Sequence, residues 1–411
     1  MANSSVVVFS AVTAGLAFIY YRLRCYFAGG VCTNNVSLKG KTVIVTGANT
    51  GLGKEVALDL ANRQARVILA CRSFEKGQKA ANDIRSQVKD AVLVVKLLDL
   101  SSLASVREFA AEILKEEERL DVLVNNAGVY MDPPLNKTQE GLEIHFAVNH
   151  LGHFLLTNLL LDLLEKSVPS RIVVVSSSLA RRAEIDFENI YAEKSQLAKQ
   201  NHMRGPYAQS KLANMLFSHE LNKRLPKGKC FYMGYESFAL SRDTSVVGVL
   251  MLTARRYIKI TLEELIWGVT INSVCPGLCW TELHRNSSLS LIKKLFLMPI
   301  AFIVAKRPRE GAQTIIYCAT EEKLDHVSGK IFKDCDIKEF PSHTRDDGIA
   351  KKLWELSETL SSVSFTGFYI QVVPSNVVKE GHILTNLQFE RYVEQVQGSV
   401  KVKTVKATIR T

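Results

Sequence analysis

The chain has 411 residues, 47% of them hydrophobic, with a formal net charge of +11, enough for one large domain or two ordinary ones. That charge is moderate for the length, and no block of basic residues carries interleaved aromatics, so nucleic acid is excluded as a partner and an anionic membrane surface fits better. Eight cysteines, at 25, 32, 71, 230, 275, 279, 318 and 335, form no C-x-x-C pair, which reads as free thiols in a reducing compartment, with no metal site expected.

In chain order, the first element is Val6 to Tyr21, apolar apart from Ser10 and Thr13. These sixteen residues reach about 24 Å as a helix, short of a hydrocarbon core of about 30 Å. Cys25, Tyr26 and Phe27 extend the span, with Arg22 and Arg24 snorkelling to the interface. No basic stretch precedes the apolar run, and Tyr26 fits poorly before a cleavage site ending at Ala28, so a retained anchor is expected in place of a signal peptide. Arginines lie only on its C-terminal side, which puts the remainder in the cytosol. Gly29-Gly30 and Thr33-Asn34-Asn35 read as a linker.

Thr42-Val43-Ile44-Val45 is a β-branched run that feeds into Thr46-Gly47-Ala48-Asn49-Thr50-Gly51-Leu52-Gly53. A helix follows over Lys54 to Arg63, then a strand over Arg66-Val67-Ile68-Leu69-Ala70. Strand, glycine turn and helix at βαβ spacing let a backbone approach a pyrophosphate and rest it on a helix N-terminus. No carboxylate closes the second strand, which ends in Ala70-Cys71-Arg72. An acid there would hydrogen-bond the ribose of NAD, whereas the arginine fork suits the 2′-phosphate of NADP.

A third strand closes at Asp99-Leu100 and a fourth at Asn125-Asn126-Ala127-Gly128; Asn149 falls inside a long helix, and Ser176-Ser177-Ser178 closes a fifth strand. Pro206 suits the first turn of the next helix, which carries Tyr207-Ala208-Gln209-Ser210-Lys211. Four residues apart, Tyr207 and Lys211 share a face, so an ammonium beside the phenol would pull its pKa from about 10 towards neutrality. A phenol so tuned exchanges a proton with a carbinol or carbonyl oxygen. Alone, such a pair is ordinary helix surface; its meaning comes from the motifs before it.

This ordered set resembles the short-chain dehydrogenase/reductase family, from Ser37 to Thr359, and is most similar to its retinol dehydrogenases. The resemblance implies an α/β fold: a single catalytic domain built on a Rossmann-like doubly wound parallel sheet, behind an N-terminal membrane anchor and linker over residues 1–30. It implies Tyr207 as catalytic acid/base, Lys211 lowering its pKa and holding the nicotinamide ribose, Ser177 (favoured over Ser178) bonding the substrate oxygen, and Asn149 supporting a proton-relay water. NADP(H) would be held by Gly47, Asn49, Thr50, Gly51, Leu52, Gly53, Arg72 and Asp99. Asn126, Ala127, Gly128, Pro276, Gly277 and Thr281 would complete that site, with Tyr207 and Lys211.

The implied reaction moves hydride between the nicotinamide and a lipophilic alcohol or aldehyde, retinol and retinal first. Another lipid carbonyl, a steroid or fatty aldehyde, is the rival within the class, and a catalytically silent nucleotide-binding scaffold the rival outside it. A homodimer is left open, and the expected location is the endoplasmic reticulum membrane with the domain facing the cytosol, a mitochondrial membrane being the alternative. Residues 230–267 match nothing in the family, which resumes at Gly268-Val269-Thr270-Ile271-Asn272-Ser273-Val274. This insert is either a lineage-specific loop or the translation of an unspliced intron, the second favoured by its abrupt ends and lack of amphipathic period. Residues 361–411 form an equally atypical extension, in which Val400-Lys401-Val402-Lys403 alternates like a strand. From Ser287 to Ala305 the chain is strongly apolar, which reads as a flap over the substrate site or as a packed core helix.

Overall fold

The computed structural model describes residues 4–130, 137–188, 190, 205–226, 268–281, 301–365 and 370–372. The 230–267 insert, nearly all of the apolar flap and the Val400–Lys403 alternation lie outside these.

Strands β1 (Thr42–Thr46), β2 (Arg66–Cys71), β3 (Val92–Leu97), β4 (Val122–Asn125), β5 (Ser170–Val175), β6 (Val269–Val274), β7 (Ile331–Lys333) and β8 (Asp336–Ile337) make one sheet. Their spatial order is β3-β2-β1-β4-β5-β6-β7-β8; every pairing is parallel except the last, β7 with β8. The order reverses between β1 and β4, so a crevice opens at their carboxyl ends, where doubly wound sheets bind ligands. The expected α/β doubly wound sheet is therefore present.

Both faces of the sheet are buried along its central strands, which is why β1, β2, β4 and β5 read as continuous apolar runs. Alternate residues still sort by face. Val43, Val45, Val67 and Leu69 join one core with Ala312 and Ile315, while Ile44, Ile68, Leu123 and Ile172 join another with Phe154 and Phe217. The first core is roofed by helices α2 (Gly51–Asn62), α3 (Phe74–Arg85) and α8 (Pro308–Thr320). The second lies under α4 (Leu103–Glu116), α5 (Gly152–Leu159), α7 (Pro206–Arg224) and α9 (Asp347–Ser361), with the short α6 (Leu161–Lys166) before β5. Trp354 of α9 stacks on Phe217 at 5.9 Å and meets Phe154 edge-on at 4.9 Å, which ties α9 to α7.

Helix α2 starts at Gly51, earlier than the sequence suggests, because the glycine takes φ +57 and lets the chain turn straight into the helix. The segment around Asn149 differs more. Phe146–Leu151 forms a π-helical turn before α5, the wide i→i+5 geometry that often marks a functional position.

Helix α1 runs Ser4–Ala28. The side chains of Val6, Val7, Val8, Ser10, Ala11 and Leu16 lie outside the described set, and within that set no helix is long and apolar enough to cross a membrane. The segment read as a linker is a strap. Arg24 ion-pairs with Glu310, the Cys32 amide donates to Gln313 of α8, and Asn34 bridges Glu321 and Arg63. After β6, the chain returns through Lys306, whose backbone N–H donates to Leu278 and whose carbonyl accepts from Trp280. Buried Lys306 also pairs with Asp334. The described cysteines are all unpaired thiols.

Candidate active site

The β1–α2 turn supplies a backbone cradle. Gly47 has φ +65, and a Cβ there would meet Ala127 Cα at 3.0 Å; at Gly53 it would lie 2.4 Å from the Gly47 carbonyl. Thr50 caps α2 in an extended conformation without a side-chain bond, so the first amides of the helix face the crevice unclaimed by their own cap. This is the arrangement a pyrophosphate needs.

Opposite the cradle, Asn126-Ala127-Gly128 is pinned to β1 by a single hydroxyl. Thr46 Oγ1 accepts from the Asn126 and Ala127 amides, both at 2.9 Å, while Asn126 Nδ2 donates to the Thr46 carbonyl at 2.8 Å. Thr46 also meets His153 Nε2 at 2.9 Å, and His153 Nδ1 faces the Asn149 carbonyl at 3.1 Å. Burial holds this imidazole neutral, with its pKa lowered to about 4. Asn125 donates to Thr157 of α5 and so braces the end of β4. Neither Thr46 nor His153 was picked out from the sequence, because their partners lie about eighty and a hundred residues away, beyond any local period.

A cleft of about 600 Å³ runs over this cradle. Gly47, Asn49, Thr50, Gly51, Leu52, Gly53, Arg72, Asp99, Asn126, Ala127 and Gly128 line it, and so do Ser177, Tyr207, Lys211, Pro276, Gly277 and Thr281. The structure thus brings together every sequence-predicted cofactor residue, and three of the four catalytic ones. Asn149 sits just behind: its Oδ1 accepts from the Val129 amide at 2.8 Å, and its Nδ2 donates to Ser210 at 2.9 Å. It thereby fastens the β4 loop to α7, with the side chain fully engaged.

Among the three serines the roles separate. Ser176 is buried and donates to the Lys211 carbonyl at 2.6 Å, whereas Ser177 and Ser178 line the cleft. Lys76, not foreseen, also lines it beside Arg72, so two cations flank the end away from Tyr207. Asp99 is occupied locally, its Oδ1 accepting from the Ser101 amide and hydroxyl.

The electrostatics differ from the sequence expectation. Lys211 Nζ donates to the Val175 carbonyl at 3.1 Å and lies 5.8 Å from the Tyr207 ring centroid. Burial pushes the Tyr207 phenol above its ordinary range, with Cys275, Cys279 and Tyr130 adding to it, and lowers Lys211 to about 8. Desolvation leads both shifts, because taking either group out of water disfavours its charged form. Spacing revealed the pair; only burial fixes the sign of its shift.

The described residues fit a nicotinamide dinucleotide. The cradle admits a pyrophosphate where any Cβ would clash, and the cleft continues without a break to Tyr207 and Lys211. Comparison with known proteins agrees. The short chain dehydrogenase family matches residues 41–229. Retinol dehydrogenase 11 of Mus musculus is 42% identical over 346 residues, 83% of this chain and 94% of that protein. Retinol dehydrogenase 12 of Homo sapiens is 41% identical over 355 residues, 85% and 96% of the two chains. Among solved structures, an uncharacterised protein from Mycobacterium paratuberculosis superposes with a TM-score of 0.53 at 27% identity, covering 81% of this chain and 97% of that one.

Proposed function

This chain belongs to the short-chain dehydrogenase family, and on that premise we propose that it uses NADP(H) to interconvert a lipophilic alcohol and its aldehyde, retinol and retinal first among them. It is an oxidoreductase acting on CH–OH groups. The observation that carries the finer reading is the one continuous cleft, with Arg72 and Lys76 at one end and Tyr207 with Lys211 at the other.

When bound, the nicotinamide supplies or accepts the hydride. The protein's own part follows from the site. The Gly47 to Gly53 turn and the N-terminus of α2 hold the pyrophosphate, and the absence of a carboxylate at the end of β2 leaves Arg72 and Lys76 for a 2′-phosphate. Tyr207 gives its proton to the carbonyl oxygen, and Ser177 orients that oxygen. Burial raises the pKa of the phenol, so near neutral pH it is protonated, the form that donates to a carbonyl oxygen. Lys211 holds the ribose hydroxyls, and Asn149 sets the distance between the β4 loop and α7.

A lipophilic substrate is supported by the apolar rim. Trp280 and Phe302, 52% and 63% exposed, stack at 6.0 Å, and Trp280 sits in sequence between Cys279 and Thr281, which line the cleft. We propose α1 as a membrane anchor on an endoplasmic reticulum surface, so that substrate reaches this rim from the bilayer. A steroid or fatty aldehyde satisfies the same chemistry. Purified protein assayed with NADPH against retinal, fatty aldehydes and ketosteroids decides among them, and Tyr207→Phe in that assay tests the proton donor. Turnover of retinal absent or below that of every other carbonyl rejects the retinoid reading; near-normal turnover in Tyr207→Phe rejects the tyrosine.

A further inference from the structure

Beside Tyr207, outside the lining of the cleft, lies a buried acid–imidazole pair that the reaction described above does not use. A tight turn closed by the Thr138 and Gly141 amides delivers Glu143 to the start of the π-helical segment. Glu143 Oε2 accepts from the Phe146 amide at 2.8 Å, and Oε1 accepts from the His145 amide at 3.0 Å while meeting His145 Nδ1 at 2.6 Å. The two side chains are 3% and 1% exposed. The carboxylate thus fixes both the tautomer and the rotation of the imidazole.

That ring is aimed at the catalytic tyrosine. His145 meets Tyr207 at 6.0 Å between centroids and an interplanar angle of 81°. Tyr130 meets Tyr207 at 5.1 Å and the same angle, and the Tyr130–His145 distance is 6.3 Å. The three rings form a triangle in which Tyr207 meets both others edge-on, an arrangement with a preferred geometry. Of the three, Tyr130 and Tyr207 line the cleft and His145 does not. A carboxylate and an imidazole buried together cost desolvation that two apolar side chains would avoid. What the pair adds over a leucine is a ring whose orientation is fixed.

We propose that His145, locked by Glu143, is a positioning residue for Tyr207: it sets the orientation of the phenol ring against Tyr130 and so the place where the proton is delivered. The inference rests on Tyr207 as proton donor, which Tyr207→Phe tests separately. Loss of activity in Tyr207→Phe together with unaffected His145 variants would overturn this inference alone.

The experiment uses the full chain, three single variants and one double: His145→Leu removes the ring, His145→Phe keeps a ring without its lock, Glu143→Gln loosens the lock, and the double combines Glu143→Gln with His145→Leu. Misplacing a reacting group by about 1 Å costs on the order of a hundredfold in rate. His145→Leu is therefore expected to lower kcat about ten- to a hundredfold, with NADPH affinity within about twofold of wild type. His145→Phe should fall in between. Glu143→Gln combined with His145→Leu should cost less than the sum of the two single losses, because the part of Glu143's effect that passes through the imidazole is already gone.

The tyrosine-dependent limb of log kcat against pH should also move. Among the described residues, the titratable groups around the phenol are Lys211 on α7, Tyr130 after β4, His145 with Glu143 bonded to it, and Cys275 and Cys279 after β6. Unchanged kcat and pH profile in His145→Leu overturn the proposal, as does a kcat that falls only in proportion to NADPH affinity and melting temperature. Should His145→Leu not fold, the other two single variants decide: lower kcat at unchanged NADPH affinity supports the proposal, and unchanged kcat overturns it.

Discussion

Excision of the 230–267 insert is the perturbation with the clearest expected magnitude. The chain leaves α7 at Pro226 and re-enters the sheet at Gly268, and a Cβ placed on Gly268 would lie 3.7 Å from the Pro226 carbonyl oxygen. The two ends therefore touch, and nothing in the sheet needs the intervening residues to span a distance. Joining Lys229 to Gly268 leaves Lys227-Gly228-Lys229 as the connection, a length ordinary for a helix-to-strand turn. Closure cost rises as 3/2 RT times the logarithm of loop length, so going from forty-one intervening residues to three removes about 2 kcal/mol of it. For a domain of this size that corresponds to a rise in melting temperature of roughly 3 °C, less any strain in the short turn. The junction lies at the amino end of β6, opposite the crevice, so kcat and NADPH affinity should be unchanged. Side-by-side thermal melts and turnover of the full and shortened chains supply the test. A lower melting point or lost turnover in the shortened chain would refute the reasoning and make the insert a working part of the protein.

Arg72→Ala should weaken NADPH by one to two decades and leave NADH nearly unchanged, since a charge-assisted phosphate contact is worth about 1.5–3 kcal/mol; titration of both cofactors checks it, and equal losses would remove Arg72 from phosphate recognition. Deleting residues 1–30 should release the protein from membranes with the cleft intact, and protease outside intact microsomes should digest the full-length catalytic domain; a protected domain would reverse the proposed orientation. His150 and His153 are buried neutral, lowered to about 3 and about 4, so their contribution to stability is complete above the unfolded value near 6.5 and is lost as pH falls towards those folded values. Each should subtract about 1.4 kcal/mol per pH unit below 6.5, and a melting temperature flat from pH 7 to 5 would contradict their buried neutral state.

Much of this protein is legible in one dimension because the relevant signals are short. The β-branched runs, the glycines at 47, 51 and 53, and the 207–211 spacing each lie within one turn or one strand. Together they determine a doubly wound sheet with a nucleotide crevice. The missing carboxylate after Cys71 was equally visible, whereas Lys76 beside Arg72 was not, since a lysine one turn into α3 reads as solvated surface until the cleft is seen to reach it. Tertiary structure alone decided how the site is held and charged. Thr46 gathers the Asn126 turn and His153, Lys306 brackets the returning chain, and Glu143 turns His145 towards Tyr207. Spacing put an ammonium beside a phenol and so implied a lowered pKa; burial raised it instead. Desolvation is a property of everything packed around a group, drawn from distant parts of the chain, and no local pattern carries it.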